Sequence, residues 1–82
     1  MKLYKFYKKG CPPCYSLSRI LKTINIPESI DVINVDTAIE SNKELINIFD
    51  IDQIPALVFE NGEQLIGMHS KLEIEQFLRK VE

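Results

Sequence analysis

Eighty-two residues, 45% apolar and 27% charged, with 10 Lys+Arg against 12 Asp+Glu and a formal net charge of −2, describe one globular domain, 1–82, whose core is thin because a chain of this size buries only about 60–65% of its unfolded surface. The near-balance of charge gives no overall electrostatic footprint for nucleic acid or an anionic membrane. The two cysteines, Cys11 and Cys14, are too few and too close to staple a scaffold, since a pair three residues apart closes almost no loop; with His69 as the one other soft or borderline ligand, a self-contained tetrahedral zinc site lacks a ligand.

Lysines interrupt the apolar residues of the first nine positions, so no stretch of signal-peptide or membrane-span length forms there, and the expected compartment is the cytoplasm. Leu3 to Tyr7 reads as a strand that runs into a loop at Gly10. In Cys11-Pro12-Pro13-Cys14 the second proline biases Pro12 to an extended conformation, while Pro13 suits the first helical position, where no N–H is needed. A helix is therefore expected from Pro13. Leu17, Ile20, Leu21 and Ile24 follow at helical spacing and Pro27 ends the run.

Ile30 to Val35 is β-branched and almost continuously apolar, the pattern of a strand buried between layers, and Asp36 ends it. Two overlapping capping boxes, Thr37 with Glu40 and Ser41 with Glu44, predict a second helix that begins at one of them and reaches about Phe49. Ile54-Pro55 leads into a strand over Ala56–Glu60. Asn61-Gly62 predicts a type I′ turn, with positive φ at both central residues, before a strand over Glu63–Gly67. Ser70 with Glu73 forms a third capping box, and Ile74, Phe77, Leu78 and Val81 give the stripe of a last amphipathic helix. The order β-α-β-α-β-β-α joins a right-handed parallel β-α-β unit to an antiparallel hairpin. It also sets the cysteines at the C-terminal end of a strand and the N-terminal end of a helix, where open α/β sheets do chemistry.

That location suits a dithiol. The unsatisfied N–H groups of a helix N-terminus favour a thiolate, and only the thiolate exchanges with a disulfide; moving a thiol from about 8.5 to about 7 raises its reactive fraction at neutral pH from a few per cent to roughly half. Cys11 is the expected attacking residue. Cys14, one turn further in and more buried, is expected to resolve the mixed disulfide. Because Pro12 and Pro13 carry no N–H, Cys11 has few backbone donors, so a reductant is expected and not a strong oxidant.

Gly10-Cys11-Pro12-Pro13-Cys14, then Ile54-Pro55-Ala56, Phe59-Glu60-Asn61-Gly62-Glu63 and Gly67-Met68-His69-Ser70-Lys71, resemble in order and spacing a thioredoxin-superfamily protein over essentially the whole chain. The resemblance implies an α/β thioredoxin-like fold, a four-stranded mixed sheet in the order 2-1-3-4 flanked by three helices. It implies that Pro55 is cis and lies against the dithiol, that the backbone of Ile54 pairs with a substrate polypeptide, and that Gly67 lines the same groove; Tyr7, Pro12 and Pro13 complete the expected substrate surface. Lys5 stands where thioredoxins hold a buried aspartate, and either snorkels from the strand edge or favours the Cys14 thiolate. The run Phe6 to Pro12 is similar to glutaredoxins instead. Those proteins usually carry Cys-Pro-Tyr-Cys, Thr-Val-Pro and a Gly-Gly pair that holds glutathione, whereas this chain has Pro13, Gln53-Ile54-Pro55 and Gly67-Met68.

The leading expectation is a monomeric protein-disulfide reductase of thioredoxin type. It needs no bound cofactor and takes electrons from NADPH through a flavoprotein thioredoxin reductase. A glutathione-dependent, glutaredoxin-like oxidoreductase is the enzymatic alternative. From another class, a Cu(I) or iron–sulfur module also uses Cys-x-x-Cys, but copper carriers follow β-α-β-β-α-β order. Tyr15 is expected either to face solvent or to touch substrate, His69 to be a loop residue near the last helix cap, and Asp50-Ile51-Asp52 to be a solvated helix exit.

Overall fold

The computed structural model describes residues 1–80. Strand β1 (Lys2–Tyr7) leads to helix α1 (Pro12–Lys22), strand β2 (Asp31–Asp36), a 3-10 turn (Glu40–Asn42), helix α2 (Lys43–Ile48), strands β3 (Ala56–Phe59) and β4 (Gln64–Ile66), and helix α3 (Lys71–Arg79). The strands form one mixed sheet in the order β2-β1-β3-β4. β1 runs parallel to β2, with Leu3 against Val32 and Phe6 against Val35, and antiparallel to β3, with Leu3 against Phe59 and Phe6 against Ala56. The expected fold class and strand order hold.

Two apolar clusters cover the two faces of this sheet. Leu3, Leu57 and Phe59 pack with Leu17 and Leu21 of α1 and with Ile74, Phe77 and Leu78 of α3. Phe6, Ala56 and Val58 face the other way, with Val35, Leu45, Ile46 and Phe49. Every residue of β3 is buried because its side chains alternate between faces that helices cover on both sides. Each buried Leu or Phe contributes about 1.5–3 kcal/mol of transfer free energy, so β1 and β3 hold the site's floor in place. The stripe of α3 is buried at Ile74, Phe77 and Leu78; Val81 lies outside the described residues.

Several local expectations change. The apolar run at 30–35 forms the edge strand β2, where only Val35 is fully buried: Val32 and Ile33 still serve opposite clusters, but among the described residues no strand pairs with its outer side. Helix α1 starts at Pro12 and not at Pro13, and the extended residue is Cys11, at φ −110° and ψ 99°. Cys11 itself precedes a proline, and both prolines fall among the first helical positions, which need no N–H. Neither capping box at Thr37 or Ser41 forms. Asp36 Oδ1 accepts the Ala38 N–H at 2.9 Å, the side chain of Asn42 donates to the Asp36 carbonyl at 3.0 Å, and α2 begins at Lys43 with no side-chain cap. The hairpin turn is also different. Gly62 alone has positive φ (96°), its N–H bonds the Phe59 carbonyl at 2.8 Å, and Phe59 N–H bonds Glu63 O at 2.9 Å, which makes a three-residue loop with glycine at the bulge position.

Two local signals form as expected. Ser70 Oγ accepts the Glu73 N–H at 3.2 Å while Glu73 Oε1 accepts the Ser70 N–H at 3.0 Å, a complete capping box. Helix α2 exits through Asp50, at φ 52°, with Asp50 N–H on Asn47 O at 3.2 Å and Ile51 N–H on Ile46 O at 2.9 Å. That is the paired bonding of a Schellman motif, with aspartate where glycine is usual.

Candidate functional site

The site begins where β1 ends. Tyr7 is the last residue of the strand, and its carbonyl accepts the Thr37 N–H at 2.9 Å. Lys8 and Lys9 are exposed, Gly10 turns the chain at φ 77°, and Cys11 caps α1. Cys14 N–H points at Cys11, 3.0 Å from its carbonyl and 3.3 Å from its Sγ, and Tyr15 N–H donates to the same carbonyl at 3.2 Å. Because prolines occupy the first two helical positions, these are the first amides that α1 offers, and both are directed at Cys11. Its first turn carries no acidic side chain, while Arg19 and Lys22 occupy the last. The positive end of the helix field therefore meets Cys11 without a nearby counter-charge on the helix.

Cys11 and Cys14 are joined as a disulfide, with Cα atoms 5.3 Å apart. Their exposure differs: Cys14 is 2% exposed, and Cys11 is partly open to solvent. A reagent or substrate from solution meets Cys11 first.

Pro55 completes the sheet end. The Ile54–Pro55 bond is cis and Pro55 is buried. Since Phe6 pairs with Ala56 across β1 and β3, the antiparallel register carries Pro55 to the level of Tyr7, at the end of the sheet from which the chain departs to Cys11. Gly67, at φ 84°, donates its N–H to the Pro55 carbonyl at 2.8 Å. Tyr7, Pro55 and Gly67 thus share one end of the sheet with the dithiol's lead-in. Ile54 is partly buried against the Phe6 and Val35 cluster. Pro12 is exposed and Pro13 partly so.

Lys5 lies on the α1 face of β1. It is partly buried, donates to Ser18 Oγ one helical turn beyond Cys14, and sits 5.8 Å from the Tyr7 ring centroid. Burial, and then the charge of Lys22, hold its ammonium below the ordinary lysine pKa. Among the described residues no carboxylate forms an ion pair with it. His69 bridges β4 and α3: Nε2–H donates to the Ile66 carbonyl at 2.8 Å, and Nδ1 lies 3.4 Å from Glu73 Oε2. Its place near the α3 cap is the one expected.

Two features escape a reading of the sequence. One is a cleft of about 250 Å³ between Lys8 and Thr37 on one side and Ile46 and residues 51–54 on the other; it exists because three loops converge, and no local pattern encodes that. The other is the Tyr15 side chain, half exposed, whose Oη accepts the Gly10 N–H at 3.0 Å. Among the described residues no group of three or more His, Cys, Asp and Glu gathers. No helix among them is long and apolar enough to cross a membrane.

Comparison with curated proteins gives no match. Among solved structures, Trxlp from Edwardsiella tarda is 24% identical with a TM-score of 0.79, over 94% of this chain and 80% of that one. A mutant thioredoxin from Halobacterium salinarum is 23% identical with a TM-score of 0.76, over 95% and 71%. The thioredoxin of Malassezia sympodialis (Mala s 13) is 16% identical with a TM-score of 0.78, over 96% and 72%. At these identities the likeness is one of fold. The glutaredoxin family model matches residues 2–65, which contain β1, both cysteines, Pro55 and the start of β4. With a close cysteine pair at the head of α1 in a thioredoxin-like fold, the chain belongs to the glutaredoxin family, within the thioredoxin superfamily of dithiol redox proteins.

Proposed function

We propose that the chain is a protein-disulfide reductase of thioredoxin type that works as a cytoplasmic monomer and uses both cysteines. The observation that carries this reading is the unequal exposure of the pair: Cys11 is partly open to solvent while Cys14 is 2% exposed. The Cys11 thiolate attacks one sulfur of a substrate disulfide and expels the other as a thiolate, which takes up a proton. Cys14, as thiolate, then attacks Cys11 Sγ, forms the Cys11–Cys14 bond and releases the second substrate sulfur. Two electrons from NADPH, delivered through a flavoprotein reductase, restore the dithiol. Tyr7, Ile54, Pro55 and Gly67 line the path of the substrate chain beside Cys11, with Pro12 and Pro13 on its near side.

A second reading, with glutathione as reductant, is favoured by the cleft beside Lys8. It is small, is lined by the exposed Lys8 ammonium and the Asp52 carboxylate, and adds Thr37 and Gln53 as polar partners, a lining suited to a compact thiol that carries both an amino group and carboxylates. Insulin reduction monitored by NADPH consumption separates the two. Turnover is expected with a flavoprotein thioredoxin reductase; turnover only with glutathione and its reductase would replace the first reading by the second. Full activity of Cys11→Ser would overturn both.

A further inference from the structure

We propose that Tyr15 is a positioning residue for the attacking cysteine, acting chiefly when the dithiol is reduced. Two bonds from this one residue bracket Cys11: its backbone N–H holds the Cys11 carbonyl at 3.2 Å, and its phenol oxygen holds the N–H of Gly10 at 3.0 Å. Between them lies the one residue of the motif with extended backbone geometry. Gly10 is the weak point of this segment. It has a positive φ of 77° with open space where a β-carbon would stand, follows two exposed lysines, and has the broad conformational range of glycine.

In the oxidised form the Cys11–Cys14 bond itself ties Cys11 to the helix. Reduction adds two electrons and two protons, breaks that bond, and leaves the Gly10–Cys11 peptide held by hydrogen bonds alone. The prolines at 12 and 13 contribute no donors, so among the described residues the Cys14 and Tyr15 amides and the Tyr15 phenol remain to keep Cys11 Sγ over the helix N-terminus. Without the phenol the glycine hinge swings free, Cys11 spends less time in the helix field, and its thiolate is less favoured. The charged groups nearest in sequence, Lys8 and Lys9, lie on the segment that would move. The inference rests on the dithiol chemistry and not on which reductant serves it.

The test compares wild type with Tyr15→Phe, which keeps the ring and removes the oxygen, and with Tyr15→Ala. Iodoacetamide alkylation of the reduced proteins is followed from pH 5 to 10, and each is equilibrated with a dithiothreitol redox couple of known ratio. Tyr15→Phe is expected to slow Cys11 alkylation at pH 7 threefold to tenfold, to move its pH profile upward, and to shift the equilibrium threefold to tenfold toward the disulfide form. The thermal midpoint of the oxidised form is expected to stay close to wild type. A Tyr15→Phe protein with the wild-type alkylation profile and equilibrium would overturn the proposal, whatever its activity with insulin. A defect present only in Tyr15→Ala would also overturn it, since the ring and not the hydroxyl would then be what matters.

Discussion

Removing the buried sulfur of Cys14 separates the two half-reactions. In Cys14→Ala, Cys11 keeps its place at the head of α1, so capture of a substrate disulfide proceeds, but the intramolecular attack that releases the substrate is lost. Cys14 sits one helical turn behind Cys11, Cα to Cα 5.3 Å, and well-oriented intramolecular pairs reach effective concentrations of about 10^5 M or more. Even a pair a thousandfold short of that, competing with an external thiol at about 1 mM, leaves resolution by Cys14 faster by roughly 10^5. The mixed disulfide of Cys14→Ala is therefore expected to survive for minutes to hours, where that of the wild type does not accumulate. Because the side chain is small and 2% exposed, the cavity costs about 1 kcal/mol, and the variant should fold. Intact-mass measurement after mixing with a disulfide-bonded peptide shows a stoichiometric adduct if the reasoning holds. Wild-type turnover of protein disulfides by Cys14→Ala, with no adduct, would refute the two-cysteine mechanism. Turnover sustained by glutathione alone would point instead to a one-cysteine route.

Asp50→Gly removes the cost of a left-handed residue at the exit of α2 and is expected to stabilise the protein by about 0.5–1 kcal/mol, or about 2–8 °C in Tm for a domain of this size; an unchanged or lower midpoint would refute the assignment. Ser70→Ala deletes one arm of the α3 capping box and should cost about 1 kcal/mol in urea unfolding. Glu73, the other arm, is held below its ordinary carboxylate pKa of 4.5 chiefly by the Ser70 backbone N–H, so its contribution is present above pH 4.5 and is lost as pH falls through the lower folded value; Ser70→Ala keeps that backbone N–H, so most of the acid-side slope is expected to remain. Lys5→Met replaces a partly buried ammonium by an apolar side chain of similar length and should raise stability at neutral pH on the order of 1 kcal/mol. In the wild type the folded chain releases the Lys5 proton below 10.5, before the unfolded chain does, so wild-type stability rises with pH in that window and its gap to Lys5→Met narrows; a gap that stays constant to pH 10.5 would contradict the burial of the charge.

The parts of this molecule that depend on neighbours within four or five residues are legible in the chain itself. The capping box of Ser70 and Glu73, the apolar stripes of α1 and α3, the stop at Gly10 and the dithiol between strand and helix all involve short-range bonds or a period that the residues spell out. The same logic fails where one local pattern competes with another or with a strand pairing. Thr37 and Ser41 read as helix caps, yet the chain leaving β2 is held by Asp36 and Asn42, and the Thr37 N–H is already spent on Tyr7. Asn61-Gly62 reads as a two-residue turn, yet the pairing of Val58 with Gln64, continued by the Phe59 bond to Glu63, leaves three residues in the loop.

The sequence by itself determined that Cys11 and Cys14 sit at a strand–helix junction, and motif resemblance supplied Pro55 as their companion. The greater burial of Cys14 followed from its place one turn into the helix, and the structure bears it out; only the tertiary structure decided that Pro55 reaches the level of Tyr7 and that a cleft opens beside Lys8. The physical reason is range. A helix start is set by bonds between residues three or four apart, whereas strand register and clefts depend on how segments separated by forty or more residues come to share one sheet.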